Sequence, residues 1–223
     1  MKKLTVATLA GLTMLAGISS ANAAAGDSTV SIGYAQFHSN GLKKSINGLK
    51  SELSEYYDPS DYNVDNYKDP KGFNVKYRYE FDDNWGVIGS FTYARSKMNG
   101  SVDYKDPDDG DVETGKGSLK ANYYNIMVGP SYRINDYFSG YAMLGVASSK
   151  VKLSENYSYN YPLDGESGSG AGSKDQKDTA LSYSVGFQIN PIKNIAIDVA
   201  YEGAGHGSNG QVSGFNVGVG YSF

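Results

Sequence analysis

The sequence predicts an all-β fold, an eight-stranded antiparallel transmembrane β-barrel with short periplasmic turns and long extracellular loops. Three observations predict it: apolar residues alternate with small or polar ones, a secretory leader precedes them, and short connections alternate with long ones. Over residues 214–223 every second residue is apolar or aromatic, up to Tyr221 and the terminal Phe223. Such a strand fits a barrel wall, because one face meets lipid and the other meets a packed lumen.

The first 23 residues are interpreted as a signal peptide. Lys2 and Lys3 precede an apolar stretch over residues 4–18, and an Ala-Asn-Ala cleavage site ends at Ala23. The alternative, a single membrane anchor, is disfavoured because the apolar stretch is short. Residues 24–223 are therefore expected to form one outer-membrane β-barrel.

Composition narrows the class further. The formal net charge of −4 argues against nucleic acid as a partner. The chain has no cysteine, which excludes disulfides and thiolate metal sites, and neither a metal nor a cofactor is expected. A mean hydropathy of −0.46 does not fit a helical membrane protein. It fits a barrel, whose strands hide half of their residues from lipid.

Eight alternating segments are predicted as strands. The clearest is GFNVKYRYEF over residues 72–81, a pattern that no amphipathic helix produces. In the fifth segment both faces hold apolar residues, and Leu144 and Val146 are placed outward. The segments are residues 29–37, 72–81, 85–93, 124–133, 137–151, 181–189, 195–202 and 214–223.

The connections between these segments fix the topology. Three are short and rich in turn residues: residues 82–84, 135–136 and 190–194. Four are long and are expected outside the cell: about residues 38–71, 96–119, 152–178 and 203–211. A soluble, lipocalin-like barrel would place the apolar face inside instead. The leader and the terminal Phe223 favour the membrane barrel.

Charged residues lie on the face opposite to the lipid-facing one. An eight-stranded barrel is only wide enough for side chains to fill it, so we expect a structural salt-bridged network rather than an ion path. The predicted lumen charges are Lys76, Arg78, Glu80, Arg133, Asp198 and Glu202.

Six segments together resemble the Ail/Lom family of enterobacterial eight-stranded outer-membrane proteins of the attachment-invasion and serum-resistance type. The resemblance implies outer-membrane lipid and lipopolysaccharide as surroundings, and host extracellular-matrix or complement proteins as partners. It also implies that Tyr221 and Phe223 form the terminal signal that the barrel-assembly machinery reads. The segments are SIGYAQ (31–36), GFNVKYRYEF (72–81), GVIGSFTYA (86–94), VGPSYRIND (128–136), VAYEG (199–203) and GFNVGVGYSF (214–223).

The first long loop contains apolar residues at steps of three and four, which predicts a short amphipathic helix over residues 42–57. Its apolar stripe either packs on the barrel rim and neighbouring loops or docks a host protein or lipid headgroup. The candidate ligand-binding residues on this helix are Lys43, Lys44, Leu49, Leu53, Tyr56 and Tyr57.

The second and third long loops differ in composition. Residues 103–113 are acidic but do not match a calcium-loop spacing, so a solvated charge run is favoured over weak divalent-ion binding. In the third loop, Tyr157, Tyr159 and Tyr161 precede a GESGSGAGS stretch that is expected to be flexible. These tyrosines are candidates for a binding surface or for rim anchors.

The long loops predict a surface recognition module without catalysis, and the resemblance implies an adhesin, a host-interaction and serum-resistance factor that acts through these loops. The excess of acidic residues in the loops disfavours heparin-like polyanions as the main ligand. One alternative is a structural envelope barrel that contacts lipopolysaccharide. A third is an outer-membrane enzyme that uses His38 or His206 at the rim, with Ser39 or Ser208 nearby, although no spacing specifies a triad.

Overall fold

A computed structural model describes residues 25–192, 194–205 and 210–223. The predicted signal peptide, residues 1–23, and His206 lie outside the described residues. The elements are β1 (Ser28–Ser39), α1 (Asn40–Tyr56), β2 (Tyr62–Val64), β3 (Lys71–Glu80), β4 (Trp85–Lys105), β5 (Val112–Asn135), β6 (Phe138–Tyr161), β7 (Glu166–Ile192), β8 (Ile195–Ala204) and β9 (Val212–Ser222).

Eight of these strands form a closed antiparallel ring. With β2 left out, each strand pairs with the strands before and after it in the chain. The first strand, β1, pairs with both β3 and the last strand, β9, which closes the ring. This confirms the predicted barrel. The ninth strand, β2, pairs with β4 alone and lies in the predicted first loop. Closure matters because lipid offers no hydrogen-bond partner to an unpaired strand edge.

The two faces of the wall follow the alternation in the sequence. In β3, Phe73 and Tyr77 are exposed on the outer surface, whereas Lys76 and Arg78 are buried inside. Leu144 and Val146 face outward, as expected. Tilted aromatic pairs line the outer surface, for example Phe73–Tyr93 and Tyr93–Tyr124, with ring centroids 5.8 and 5.0 Å apart.

Side-chain hydrogen bonds form the periplasmic turns. The Asp82 carboxylate accepts from the backbone N–H groups of Asn84 and Trp85 at 2.9 and 2.6 Å. The Asn135 side chain accepts from the Tyr137 N–H at 2.9 Å. These contacts are those that turn-forming Asp and Asn residues are expected to make.

Two of the predicted long loops are instead extensions of the barrel strands. The segment at about residues 96–119 continues β4 and β5, which stay paired out to Lys105 and Val112. The segment at about 152–178 continues β6 and β7, paired out to Tyr161 and Glu166. The outward faces of these extensions are polar because they lie beyond the lipid, so the lipid-facing apolar residues that identified the strands are missing there.

Short turns close the two long hairpins. Between β4 and β5, the Asp106 carboxylate accepts from the N–H groups of Asp108 and Asp109 at 2.8 and 3.1 Å, and Gly110 has a φ of +73°. Between β6 and β7, Gly165 has a φ of +68°. Glycine adopts such left-handed conformations without the clash that a Cβ atom causes.

The first connection retains its loop character. Residues 38–71 contain the predicted helix, now α1, followed by β2. The fourth connection is short, because β8 continues to Ala204 and β9 begins at Val212. Within the described ranges, no helix combines the length and apolarity needed to cross a membrane.

The terminal residue takes part in closure. The N–H of Phe223 donates to the Ser28 carbonyl, and the N–H of Ser28 donates to the Phe223 carbonyl, both at 2.9 Å. The ring of Phe223 stacks beside that of Tyr221, with centroids 6.4 Å apart. Phe223 therefore extends the seam between β1 and β9 by one residue pair.

We predict that deleting Phe223 lowers the amount of folded barrel in the outer membrane without blocking export. The deletion removes two seam hydrogen bonds and one aromatic stack at the last strand to close. Heat-modifiable protein in outer-membrane fractions measures the effect, and Phe223→Tyr, which keeps the backbone and ring, is the control. Wild-type amounts of folded deletion protein would contradict the prediction.

Candidate functional site

The lumen holds all six predicted charges, arranged in layers. Nearest the periplasm, Glu80 forms ion pairs with Arg78 and Arg133. Arg78 also donates to the Gln188 side chain at 2.8 Å. Arg133 lies 3.9 Å from the Asp27 carboxylate. One carboxylate of β3 is thus shared by two guanidinium groups.

The middle layer is centred on Asp198 of β8. Its carboxylate forms an ion pair with Lys76 from the far side of the barrel and accepts from the Tyr141 hydroxyl at 2.9 Å. Lys76 also donates to the Asn216 side chain. These bonds join β3, β6, β8 and β9 across the lumen.

The outer layer is centred on Glu202, which is 0% exposed. It accepts from the Asn125 amide at 2.6 Å and from the Asn216 amide at 3.3 Å. The hydroxyls of Thr92 and Tyr123 donate to it at 3.0 and 3.1 Å. A buried carboxylate needs such donors, because charge removed from water without partners is strongly destabilising. The geometry supports a structural role.

Helix α1 packs across the lumen-side face of the outer hairpins. Ser39 caps its first turn, with the Leu42 N–H donating to the Ser39 hydroxyl at 3.4 Å. Ile46 packs into an apolar cluster with Val64 of β2 and Met98 of β4. The helix is therefore attached to the barrel by the part of its stripe nearest its N-terminus.

The predicted docking residues of α1 divide between packing and exposure. Lys43 and Lys44 are exposed, as are Leu49 and Tyr56, at 40% and 75%. Leu53 packs at the margin of the apolar cluster. The packing alternative thus accounts for one end of the stripe, and Leu49 and Tyr56 remain on its open side.

The carboxylate of Glu113 on β5 connects α1 to the outer hairpins. It accepts from the Tyr57 hydroxyl, just after the helix, at 2.6 Å and from the Tyr161 hydroxyl of β6. The hydrogen bond to Glu113, more than burial, raises the pKa of both Tyr57 and Tyr161 to about 12. In the sequence Glu113 is one of a run of acids, and only strand pairing reveals its role.

The three tyrosines of the third loop lie on one face of β6, the face that continues the lumen side. We call Tyr157, Tyr159 and Tyr161 the tyrosine platform. The rings of Tyr159 and Tyr161 lie with centroids 5.1 Å apart. Tyr157 and Tyr159 stand directly opposite Gly170 and Gly168 of β7.

A basic belt crosses the outer surface of five strands, from β3 to β7. It has two rows outward of the aromatic row Phe73, Tyr93 and Tyr124. Lys71, Arg95, Lys150 and Lys177 are two residues, or about 7 Å, farther along the strands, and Lys97, Lys120 and Lys152 are four residues farther. Apart from two close pairs, the belt residues are far from one another in the sequence, so the sequence alone did not indicate the belt. The belt residues are Lys71, Arg95, Lys97, Lys120, Lys150, Lys152 and Lys177, all exposed and in cross-strand register.

One acid of the second loop is bonded within its own turn. Asp106 binds backbone N–H groups of its own turn, which lower its pKa. In the part of the chain that the structure describes, no group of three or more ligating side chains could hold a metal ion.

The rim histidine His38 pairs with a carboxylate. Its Nδ1 lies 3.0 Å from Asp69, which also accepts from the Gln36 amide at 2.9 Å. Ser39, the nearest hydroxyl in sequence, is buried and occupied as the helix cap. Across the described residues, no hydroxyl bonds to the His38 ring to complete a nucleophile and base pair.

Comparison with known proteins places these features in a family. The model of the Enterobacterial Ail/Lom protein family matches residues 39–223. The attachment invasion locus protein of Yersinia enterocolitica is 40% identical over 200 residues, 90% of this chain and 88% of the relative. Virulence membrane protein PagC of Salmonella typhimurium is 37% identical over 167 residues, 72% of this chain and 80% of the relative.

A solved structure agrees with the fold. The crystal structure of Ail, the attachment invasion locus protein of Yersinia pestis, is 31% identical and has a TM-score of 0.56. The match covers 89% of this chain and 99% of that chain. The same protein has also been solved in complex with the heparin analogue sucrose octasulfate, with the same TM-score of 0.56.

We predict that Glu202→Ala destabilises the barrel by about 3–5 kcal/mol, because four buried donors lose their acceptor. Urea unfolding of the refolded protein, followed by the fluorescence of Trp85, measures it. Ser131→Ala is the matched control, since the buried Ser131 hydroxyl has no partner within the described residues and should change stability by less than about 1 kcal/mol. Equal unfolding midpoints for both variants would show that the Glu202 cluster contributes nothing.

We predict that Glu113→Ala releases α1 from the hairpins. Trypsin should then cleave faster at Lys43, Lys44 and Lys50 at neutral pH, whereas Glu155→Ala removes an equal charge from the same face and should not change cleavage.

The raised pKa values set the pH dependence of this contact. Neutral phenols donate to Glu113, so the stabilisation is complete below the ordinary tyrosine pKa of about 10 and is lost as pH rises to about 12. In Glu113→Ala, two tyrosine titrations observed by NMR should move down from about 12 toward about 10. Unmoved titrations, together with unchanged trypsin cleavage, would mean that Glu113 does not hold the helix.

Proposed function

The chain belongs to the enterobacterial Ail/Lom family of outer-membrane proteins, and from this premise we propose that it is an adhesin and serum-resistance factor acting through its extracellular surface. Host extracellular-matrix or complement proteins are the proposed partners. The names of two relatives refer to attachment, invasion and virulence. No catalysis is part of the proposal, since the candidate Ser39 serves as a helix cap.

The observation that carries the proposal is the unpaired outer edge of β7. The hairpins β4–β5 and β6–β7 form one sheet that extends beyond the barrel. Among the described residues, β8 pairs with the part of β7 between Ser182 and the periplasmic turn. Beyond Ser182, the N–H of Gly205 donates one hydrogen bond to the Leu181 carbonyl. Residues 166–173 of β7 therefore pair with β6 on one side and with no strand on the other.

Such an edge is suited to adding a strand from another protein. An exposed edge presents a row of backbone N–H and C=O groups, and extended peptides bind proteins by pairing with such rows. Proteins usually protect edges with charged side chains, above all lysine. Lys174 and Lys177 follow that practice closer to the membrane, whereas residues 167–173 are only glycine, serine and alanine. The outer half of the edge is thus open to a partner.

A second function, support of the envelope through lipopolysaccharide, is favoured by the basic belt. Aromatic residues mark the membrane interface, and basic residues just outside it attract anionic headgroups. Lys71, Arg95 and Lys150 occupy this level on β3, β4 and β6. A sulfated glycan would meet the same positive surface. Binding of sucrose octasulfate is known for the Yersinia pestis protein, and for this chain a glycan at the belt is a proposal.

We predict that expression in an adhesin-poor laboratory strain raises adherence to host cells and survival in serum, and that blocking the edge removes most of that gain. The blocking variant is Ser167→Lys with Ala171→Lys. Its matched control is Asn160→Lys with Asn156→Lys, which places the same charges on the directly opposed residues of β6, one strand in from the edge.

The outcomes separate the two functions. Heat-modifiable barrel must be present equally in all strains. A gain lost in the edge variant and kept in the control supports host recognition at the edge. If neither pair changes adherence, but Arg95→Gln with Lys120→Gln raises the permeability of the outer membrane, the envelope function is the better proposal.

A further inference from the structure

We propose that the tyrosine platform binds a cationic segment of a host protein, one that presents arginine or lysine side chains. This inference rests on the host-interaction function proposed above and adds the chemistry of the partner. It depends on how the rings are held, on the charges around them and on their position beside the open edge of β7.

The platform is built by pairing tyrosines with glycines across two strands. A Cβ atom added to Gly170 would lie 2.7 Å from Cζ and the hydroxyl of Tyr157, and one added to Gly168 would lie 2.7 Å from the hydroxyl of Tyr159. Each ring thus extends across β7 and occupies the space that a side chain would fill. Tyr157 remains 55% exposed, so its ring is available to a ligand.

The charges at the lumen-side strand positions nearest the rings are all negative. Because side chains alternate along a strand, the lumen-side positions nearest the platform can be read from the strand register. On β5 they are Glu113, Gly115 and Gly117, on β6 Glu155 precedes the tyrosines, and on β7 they are Glu166, Gly168, Gly170 and Gly172. The first basic residue on this face is Lys174, opposite Leu153 at the inner limit of the platform.

This combination selects a cation. A guanidinium or ammonium group is attracted to the face of an aromatic ring, and a nearby carboxylate adds to the attraction. An anionic partner would be repelled. A neutral sugar could contact the rings and donate its hydroxyls to the carboxylates, but it carries no positive charge for the three carboxylates to attract.

The tips of both hairpins share this negative field. Partial burial raises the pKa of Asp111, and the charges of Asp109, Asp106, Asp164 and Glu113 raise it further. Asp164 comes from the β6–β7 turn and the others from the β4–β5 hairpin, so the two tips stand close enough to interact. A basic segment approaching from outside would be attracted before contact.

The tyrosine platform also lies beside the open edge of β7. Gly168 and Gly170 belong to residues 166–173, the part of β7 without a second strand partner. A basic segment added along that edge would have its side chains next to the rings of Tyr157 and Tyr159. Backbone pairing and side-chain recognition could then operate on one partner.

The test uses the refolded full barrel in lipid nanodiscs and an oligo-arginine peptide as the probe. Tyr157→Leu should weaken binding about threefold to fivefold, the loss of one exposed cation–ring contact, whereas Tyr157→Phe, which keeps the ring, should bind like the wild type. The two variants have the same net charge, so general attraction to the acidic tips is equal in both.

Glycine substitutions provide a second test of the platform and leave every tyrosine unchanged. Gly170→Ala should displace the Tyr157 ring and weaken binding to a similar extent, because the added Cβ meets the flexible end of that side chain. Gly115→Ala is the matched control on the other side of Tyr157, since its Cβ would lie at ordinary distances of 3.8 Å from Val102 and 4.0 Å from Asn156.

Equal binding by Tyr157→Leu, Gly170→Ala and the wild type would overturn the proposal, because the acidic tips would then bind the probe without the rings. Ring-dependent binding of a neutral oligosaccharide, with no ring dependence for oligo-arginine, would also overturn it in favour of a glycan. If Tyr157→Leu leaves cell adherence intact while the edge-blocking lysines abolish it, the platform proposal fails and the host-interaction function stands.

Discussion

Closure of the backbone hydrogen-bond ladder in lipid is the constraint on which the rest of this molecule depends. A strand edge inside the membrane has no water to pair with, so β1 must meet β9. A barrel of only eight strands has a narrow interior, and the alternation of side chains directs every second side chain of each strand into it. Charges sent inward must then find partners, which explains why Glu202 gathers four donors and why Glu80 is shared by two arginines.

The same constraint explains what the sequence could and could not predict. Alternation identified all eight barrel strands and the inward charges, because lipid on one side forces an apolar face. Beyond the lipid that constraint ends, so β4 to β7 continue as strands whose outward face is polar. These parts of the chain were expected to be loops. Helix α1 was predictable because Ile46 lies on an apolar stripe. Its partner Met98 was not, since contact between them depends on strand register.

Strand register also determines the structural role of the glycine-rich stretch. GESGSGAGS was expected to be a flexible connection, but its residues form the outer part of β7. Gly168 and Gly170 there make room for the rings of Tyr159 and Tyr157. A flexible loop would lose conformational entropy on binding, whereas a paired hairpin has already lost it during folding. The surface that extends farthest from the cell is therefore largely preorganised.

Net charge conceals how these surfaces differ. The chain carries −4 overall, which argued against a polyanionic partner, yet its charges are separated by height above the membrane. The basic belt lies just outside the aromatic rows, and the acids of both hairpin tips lie farthest out. Since exposed charges interact mainly within about 8 Å at physiological salt, each level acts nearly independently. The inference that net negative charge disfavours an anionic partner thus holds for the tips and fails for the belt. One small barrel can therefore bind an anionic headgroup at its belt and a cationic partner at its tips.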